Sequence, residues 1–159
     1  MFFFKKKKIE ETAVFSHVDG FIIGLTDIPD EVFSTKTLGD GFAVIASGSF
    51  VKAPVDGTIV FLAPTRHAVG IEMDNGIQVL IHIGLDSAVT IPENFQVKVE
   101  EGQKVSTGDI LVEIAHQLLK DVLYIPLVIT ENPDNVAYTF VNLNTDAAAG
   151  TEVIKLNNE

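Results

Sequence analysis

Apolar residues fall along this chain in short bursts. Phe21-Ile22-Ile23, Phe42-Ala43-Val44-Ile45, Thr58-Ile59-Val60-Phe61-Leu62 and Val79-Leu80-Ile81 are rich in β-branched and aromatic side chains, the types that suit a pleated, half-buried strand. Between the bursts stand Asp19-Gly20, Gly39-Asp40-Gly41, Asp56-Gly57, Asn75-Gly76, Glu101-Gly102, Thr107-Gly108-Asp109 and Ala149-Gly150, all of them turn signals. Many short strands cut by glycine-bearing turns predict an all-β, antiparallel sandwich or barrel. Asp30-Glu31-Val32-Phe33 and Ala115-His116-Gln117-Leu118-Leu119-Lys120 read as short helical turns, and neither carries a long amphipathic stripe. Ser16-His17-Val18-Asp19-Gly20-Phe21-Ile22 echoes Ala53-Pro54-Val55-Asp56-Gly57-Thr58-Ile59, each a turn leading into a strand. Two related halves fit this echo, although two copies do not make a repeat array.

The alternation turns into chemistry between His67 and His82. Asn75-Gly76 predicts a two-residue hairpin turn, which pairs Val69 with His82 and His67 with Gly84. With a period of two, His67, Val69 and His82 then share one face. The imidazoles become diagonal neighbours, roughly 7–8 Å apart at the backbone. Extended, the register sets Thr65 opposite Asp86 and Ile71 opposite Leu80, a polar patch at the end of an apolar surface. A slip of one residue would send the two histidines to opposite faces.

Neighbouring neutral imidazoles can hold a metal, exchange a proton or carry a phosphoryl group. Nucleophilic work needs one unprotonated ring nitrogen and a partner that fixes the other. Thr65 can orient a ring through its hydroxyl, and Asp86 can balance a cationic imidazole or keep a nearby phosphate transferable. Two ordinary sheet histidines would satisfy the spacing equally well. His17 and His116 lack a partner pattern and read as surface or loop residues. Arg66 alternates to the other face and reads as solvated. Gly39-Asp40-Gly41 lacks the Lys-Ser/Thr ending of a phosphate-binding loop and reads as a tight turn.

Composition narrows the choices. At 159 residues the chain suits one domain that buries roughly 68–70% of its unfolded surface. It has no cysteine, which excludes disulfides, thiolate metal sites and cysteine nucleophiles and fits a reducing compartment. The net charge is −11, and four of the eleven basic residues are Lys5, Lys6, Lys7 and Lys8. The remaining body is therefore more acidic still; it would repel nucleic acid and draw in a basic protein partner. Met1-Phe2-Phe3-Phe4 followed by the lysines reverses the order of a signal peptide, and no stretch approaches the length of a membrane span. Residues 1–13 read as a flexible tail ahead of a single domain at 14–159, with weak anchoring of residues 1–9 to anionic lipid as the sharper alternative.

Several ordered motifs carry a family resemblance. Leu38-Gly39-Asp40-Gly41-Phe42-Ala43, Ala53-Pro54-Val55-Asp56-Gly57-Thr58-Ile59, Pro64-Thr65-Arg66-His67-Ala68 and His82-Ile83-Gly84-Leu85-Asp86 resemble the glucose-family enzyme IIA domain of the bacterial sugar phosphotransferase system. Asp27-Ile28-Pro29-Asp30-Glu31-Val32-Phe33 and Glu101-Gly102-Gln103-Lys104-Val105 match it as well. The resemblance implies an antiparallel β-sandwich and a cytoplasmic phosphocarrier, either free or peripheral at the inner face of the cell membrane. It implies that His82 accepts a phosphoryl group through Nε2 from the phosphocarrier protein HPr. The group then passes to a cysteine of a IIB domain during sugar import. By the same carry-over His67 is the auxiliary histidine, Thr65 bonds to it, Asp86 borders the site, and Val32, Phe33, Val69 and Leu80 are the candidates for docking the partners, with core packing the alternative for Phe33. Ala63 and Val69 stand where some relatives carry aromatics.

Three other readings compete. Lipoyl and biotinyl carrier domains share motifs such as Ala53-Pro54-Val55-Asp56-Gly57-Thr58-Ile59, but they present a lysine at a hairpin tip that here reads Asp74-Asn75-Gly76. A zinc hydrolase would use His82 and Asp86 with His67, yet it also needs a His-x-His pair that the chain lacks. A regulatory module would inhibit transporters or kinases in its unphosphorylated form, with phosphorylation masking an apolar docking site. No cofactor is required for the transfer, and zinc at His67 and His82 is compatible with the residues without being called for.

Overall fold

The computed structural model describes residues 13–85 and 91–157. Fourteen strands are described: β1 (Ala13–Phe15), β2 (Gly20–Gly24), β3 (Gly41–Ala46), β4 (Phe50–Lys52), β5 (Gly57–Leu62), β6 (Ala68–Glu72), β7 (Gln78–His82), β8 (Phe95–Val97), β9 (Lys104–Val105), β10 (Ile110–Ile114), β11 (Tyr124–Glu131), β12 (Ala137–Phe140), β13 (Thr145–Ala147) and β14 (Glu152–Asn157). One helical turn, α1 (Glu31–Ser34), follows a 3-10 turn at Leu25–Asp27, and two more 3-10 turns lie at Pro92–Asn94 and His116–Lys120. Both helical turns expected from the sequence are present.

The eight-stranded antiparallel sheet runs β13-β2-β3-β11-β7-β6-β5-β9, and two three-stranded sheets run β1-β14-β12 and β4-β10-β8. Period-two alternation sends one face of the large sheet inward. Ile22, Phe42, Val44, Ile59, Val69, Ile71, Val79, Ile81, Ile125 and Leu127 meet Val14, Val153, Ile154 and Leu156 from one small sheet and Val51, Phe95, Leu111, Val112 and Ile114 from the other. Burial of this apolar face, at about 25 cal/mol per Å², is what holds the open sandwich together. On the outer face, Ile23, Ala43 and Val128 pack under Leu25, Ile28 and Phe33 of the β2–β3 connection.

The strand order of the large sheet reads alike from both edges. β1, β2, β3, β11, β12, β13 and β14 match β4, β5, β6, β7, β8, β9 and β10, and the match extends to single hydrogen bonds. Ala13 and Val14 pair with Lys155 and Ile154, with a bulge before Phe15–Glu152; Phe50 and Val51 pair with Glu113 and Val112, with a bulge before Lys52–Ile110. Asp19 accepts from Ala149 N at 2.8 Å, and Asp56 accepts from Thr107 N at 2.7 Å. Gly150 N donates to Ser16 O at 3.0 Å, and Gly108 N donates to Ala53 O at 2.9 Å. Gly20 and Gly57 pass so close to a neighbouring strand that an added Cβ would lie 2.1 Å from Ile45 O and 2.3 Å from Glu72 O. The sequence echo is thus a duplication of structure, with the second half inserted between β3 and β11 of the first.

Candidate functional site

The β6–β7 hairpin closes one residue differently from the sequence expectation. Met73 N donates to Ile77 O at 2.8 Å and Gly76 N donates to Met73 O at 2.9 Å, so the loop is the three residues Asp74, Asn75 and Gly76. Gly76 sits at φ +88, the left-handed residue that a three-residue hairpin loop uses. The pairs are therefore Ala68–His82, Val69–Ile81 and Gly70–Leu80. Val69 leaves the histidine face and is 0% exposed in the main core. This corrects its assignment as a docking residue, because a side chain without exposed surface offers a partner nothing.

The imidazoles meet nonetheless, with ring centroids 4.7 Å apart and planes at 85°. His67 lies outside the ladder, just before β6. Arg66 adopts φ +69, and its N donates to Ala63 O at 2.8 Å to close a tight turn. A left-handed residue breaks the two-residue alternation, so His67 reaches the outer face although its carbonyl still accepts from Ile83 N at 2.6 Å. The histidines converge through this turn rather than through the expected register.

Each ring has one nitrogen engaged. The Thr65 hydroxyl shares a short hydrogen bond with His67 Nδ1. His82 Nδ1 stands 2.6 Å from Gly84 O; a carbonyl only accepts, so Nδ1 carries the hydrogen and the neutral ring keeps its lone pair on Nε2. Gly84, at φ +85, is anchored by its own N–H to Tyr124 O at 2.9 Å. Burial lowers the His82 pKa below the ordinary 6.5, opposed by the Gly84 hydrogen bond and the Asp30 charge. Burial also lowers that of His67, aided by the adjacent His82. Both rings are thus held toward the neutral, nucleophilic form at neutral pH.

The expected docking residues divide. Val32 is 48% exposed, and Leu80 is half-buried on the His82 side of β7. Phe33 is only 4% exposed, so it too is removed from the docking set; its ring packs 5.3 Å from that of His82. Asp86 and the tail at 1–9 lie outside the described residues. Asp30, not singled out from the sequence, caps α1 by accepting from Val32 N at 2.9 Å. Its capping pattern is legible locally, but its approach to His82 comes from tertiary structure. Among the described residues no third His, Asp or Glu joins the two imidazoles in a cluster suited to a metal.

Residues 12–135 match the model of the phosphoenolpyruvate-dependent sugar phosphotransferase system family EIIA 1. The chain belongs to this EIIA family. The glucose-specific EIIA component of the phosphotransferase system of Halalkalibacterium halodurans is 38% identical over 144 residues, spanning 89% of this chain and 83% of that protein. The glucose permease IIA of Mycoplasma capricolum superposes with a TM-score of 0.81 at 33% identity, covering 89% of this chain and 93% of that one. The chain is accordingly a phosphocarrier of the sugar phosphotransferase system with the open β-sandwich of the IIA fold. Among the described residues no helix is long and apolar enough to cross a membrane.

The remaining histidines of this EIIA protein separate. His116 is exposed in its 3-10 turn, as expected. His17 is not a surface residue: it is 0% exposed. Its ring lies 5.5 Å from that of Phe42, and its Nε2 donates to Ile125 O at 2.8 Å. Burial, opposed by that hydrogen bond, pushes its pKa down to about 4. Arg66 is exposed, in line with a solvated side chain.

Proposed function

We propose that His82 accepts a phosphoryl group on Nε2 from phosphorylated HPr and passes it to a cysteine of a IIB domain. The observation that carries this reading is the Gly84 carbonyl 2.6 Å from His82 Nδ1, which leaves Nε2 as the nucleophilic atom. The Nε2 lone pair attacks phosphorus in line; the N–P bond to His82 forms as the bond to the donor breaks. The Nδ1 proton stays on the Gly84 hydrogen bond, so the phosphorylated ring remains a good leaving group for the next transfer. When the Thr65 hydroxyl donates to His67 Nδ1, His67 carries its hydrogen on Nε2 and can donate it to a phosphoryl oxygen. Positioning and charge stabilisation do most of the work in such a transfer, and no step needs a metal. Asp86 borders the phosphoryl in this reading. Val32 and Leu80 supply apolar docking surface, and the net charge of −11 favours fast encounter with a basic partner. The protein would work in the cytoplasm.

Incubation with phosphorylated HPr should give an acid-labile, alkali-stable adduct. The His82→Ala variant should incorporate no phosphate; labelling of that variant would refute the assignment.

A further inference from the structure

Phe33 reaches His82 from a segment that the rest of the sandwich does not need. It lies in α1, within the β2–β3 connection at residues 25–40, whereas the matching β5–β6 connection takes only residues 63–67. α1 is closed at both ends: Asp30 accepts from Val32 N at 2.9 Å, and Thr35 N donates to Glu31 O at 3.1 Å. The Phe33 side chain shares a buried cluster with Ile23, Leu25, Ile28, Ala43 and Val128. Its ring lies against the imidazole of His82 at 5.3 Å, with the planes at 59°.

Three groups therefore bear on one ring. Gly84 O holds Nδ1, His67 stands edge-on and Phe33 packs alongside. Rotation about χ2 carries Nδ1 off Gly84 O and swings Nε2 with it, a half turn placing Cδ2 where Nδ1 was and Cε1 where Nε2 was, and this terminal torsion is intrinsically broad. The Gly84 bond favours one χ2 angle; a ring packed alongside hinders rotation away from it.

We propose that Phe33 is a positioning residue for the phosphoryl transfer: it holds His82 at the χ2 angle that keeps Nδ1 on Gly84 O and Nε2 open to the donor. The inference rests on the reading of His82 as the acceptor. Phe33 acts through the imidazole and not by contact with the partner, since it is nearly covered while Val32 beside it is open. Among the described residues, the titratable groups around His82 are His67 from the β5–β6 connection and Asp30 from the start of α1, with the Tyr124 phenol of β11 packed against the same cluster as Phe33.

Imidazole ¹⁵N NMR on the full chain, without any phosphoryl donor, reads the tautomer and titration midpoint of His82 in wild type, Phe33→Leu and Phe33→Ala. In Phe33→Ala the Nδ1–H form should give way to a mixture and the midpoint should rise toward 6.5. Phosphoryl uptake should fall roughly tenfold, while binding of unphosphorylated HPr changes less than about twofold. Phe33→Leu, which keeps an apolar side chain under α1, should show the same shifts at smaller size, and it carries the test if Phe33→Ala does not fold. An unchanged tautomer and midpoint in both variants would overturn the proposal, as would weaker HPr binding with unaltered His82 signals. The NMR result needs no phosphate and so stands apart from whether His82→Ala can be labelled.

Discussion

The two halves of this sandwich share a backbone and differ in chemistry. In the half built of β4 to β10, Ile83 N donates to His67 O at 2.6 Å; in the other, Ile129 N donates to Asp40 O at 2.7 Å. Ala68 pairs with His82 in the first, and Gly41 pairs with Val128 in the second. Asp40 and Val128 therefore stand where the imidazoles stand. Asp40 is used up locally, accepting from Gly41 N at 2.9 Å and from Tyr138 OH at 3.1 Å and pairing with Lys36 at 3.3 Å; Val128 is buried. The backbone offers the position twice, and side chains place paired imidazoles there once. The half without imidazoles contributes in another way: its longer β2–β3 connection carries Asp30 and Phe33 across to His82. The site therefore belongs to the pair of halves.

The comparison is broken most severely at the two close approaches. Gly20→Ala and Gly57→Ala should each cost about 4 kcal/mol, because the obstructing atoms are main-chain carbonyls that cannot yield. Urea denaturation checks this. Equal losses support like roles in the two halves; a loss confined to one would break the equivalence there.

Next in size is His17, which stands where the other half has Pro54. The unfolded imidazole titrates near 6.5 and the native one at about 4. Between these values the unfolded chain binds a proton that the native state refuses, so stability falls as pH drops from 6.5 to 4 and is unaffected above 6.5. The loss is on the order of 3 kcal/mol. Urea midpoints at pH 7 and pH 4.5 should show this component in wild type and not in His17→Leu.

At the site itself, His67→Gln should spare uptake from the donor while slowing onward transfer roughly a hundredfold, as for removal of one preorganised donor. Asp40→Asn, at the equivalent position, should leave both steps unchanged. Quench-flow with phosphorylated HPr and a IIB acceptor separates the steps. Smallest are Asp19→Ala and Asp56→Ala, which remove matched loop hydrogen bonds and should each cost about 1 kcal/mol in thermal unfolding.

Alternation and turn chemistry made the strands, the sandwich and the echo of Ser16–Ile22 in Ala53–Ile59 readable from sequence, since these are local signals. The hairpin register was not, because Asp74-Asn75-Gly76 supports either a two-residue or a three-residue loop and only packing of the inner face decides. That slip moved Val69 into the core, and the left-handed Arg66 restored the meeting of His67 and His82. The left-handed turn has no local signature, because Arg66 is neither glycine nor asparagine. The sequence misplaces His17, and leaves Phe33 between docking and core packing, for a related reason: their burial depends on what a distant segment lays over them.

The central claim is that the Gly84 carbonyl dedicates Nδ1 of His82 to a hydrogen bond and leaves Nε2 to carry phosphate. Combined ³¹P and ¹⁵N NMR of the protein phosphorylated by HPr tests it most directly. A phosphorus coupling to Nε2 of His82, with a hydrogen retained on Nδ1, is the predicted result. Coupling to Nδ1, or to a nitrogen of His67, would contradict it.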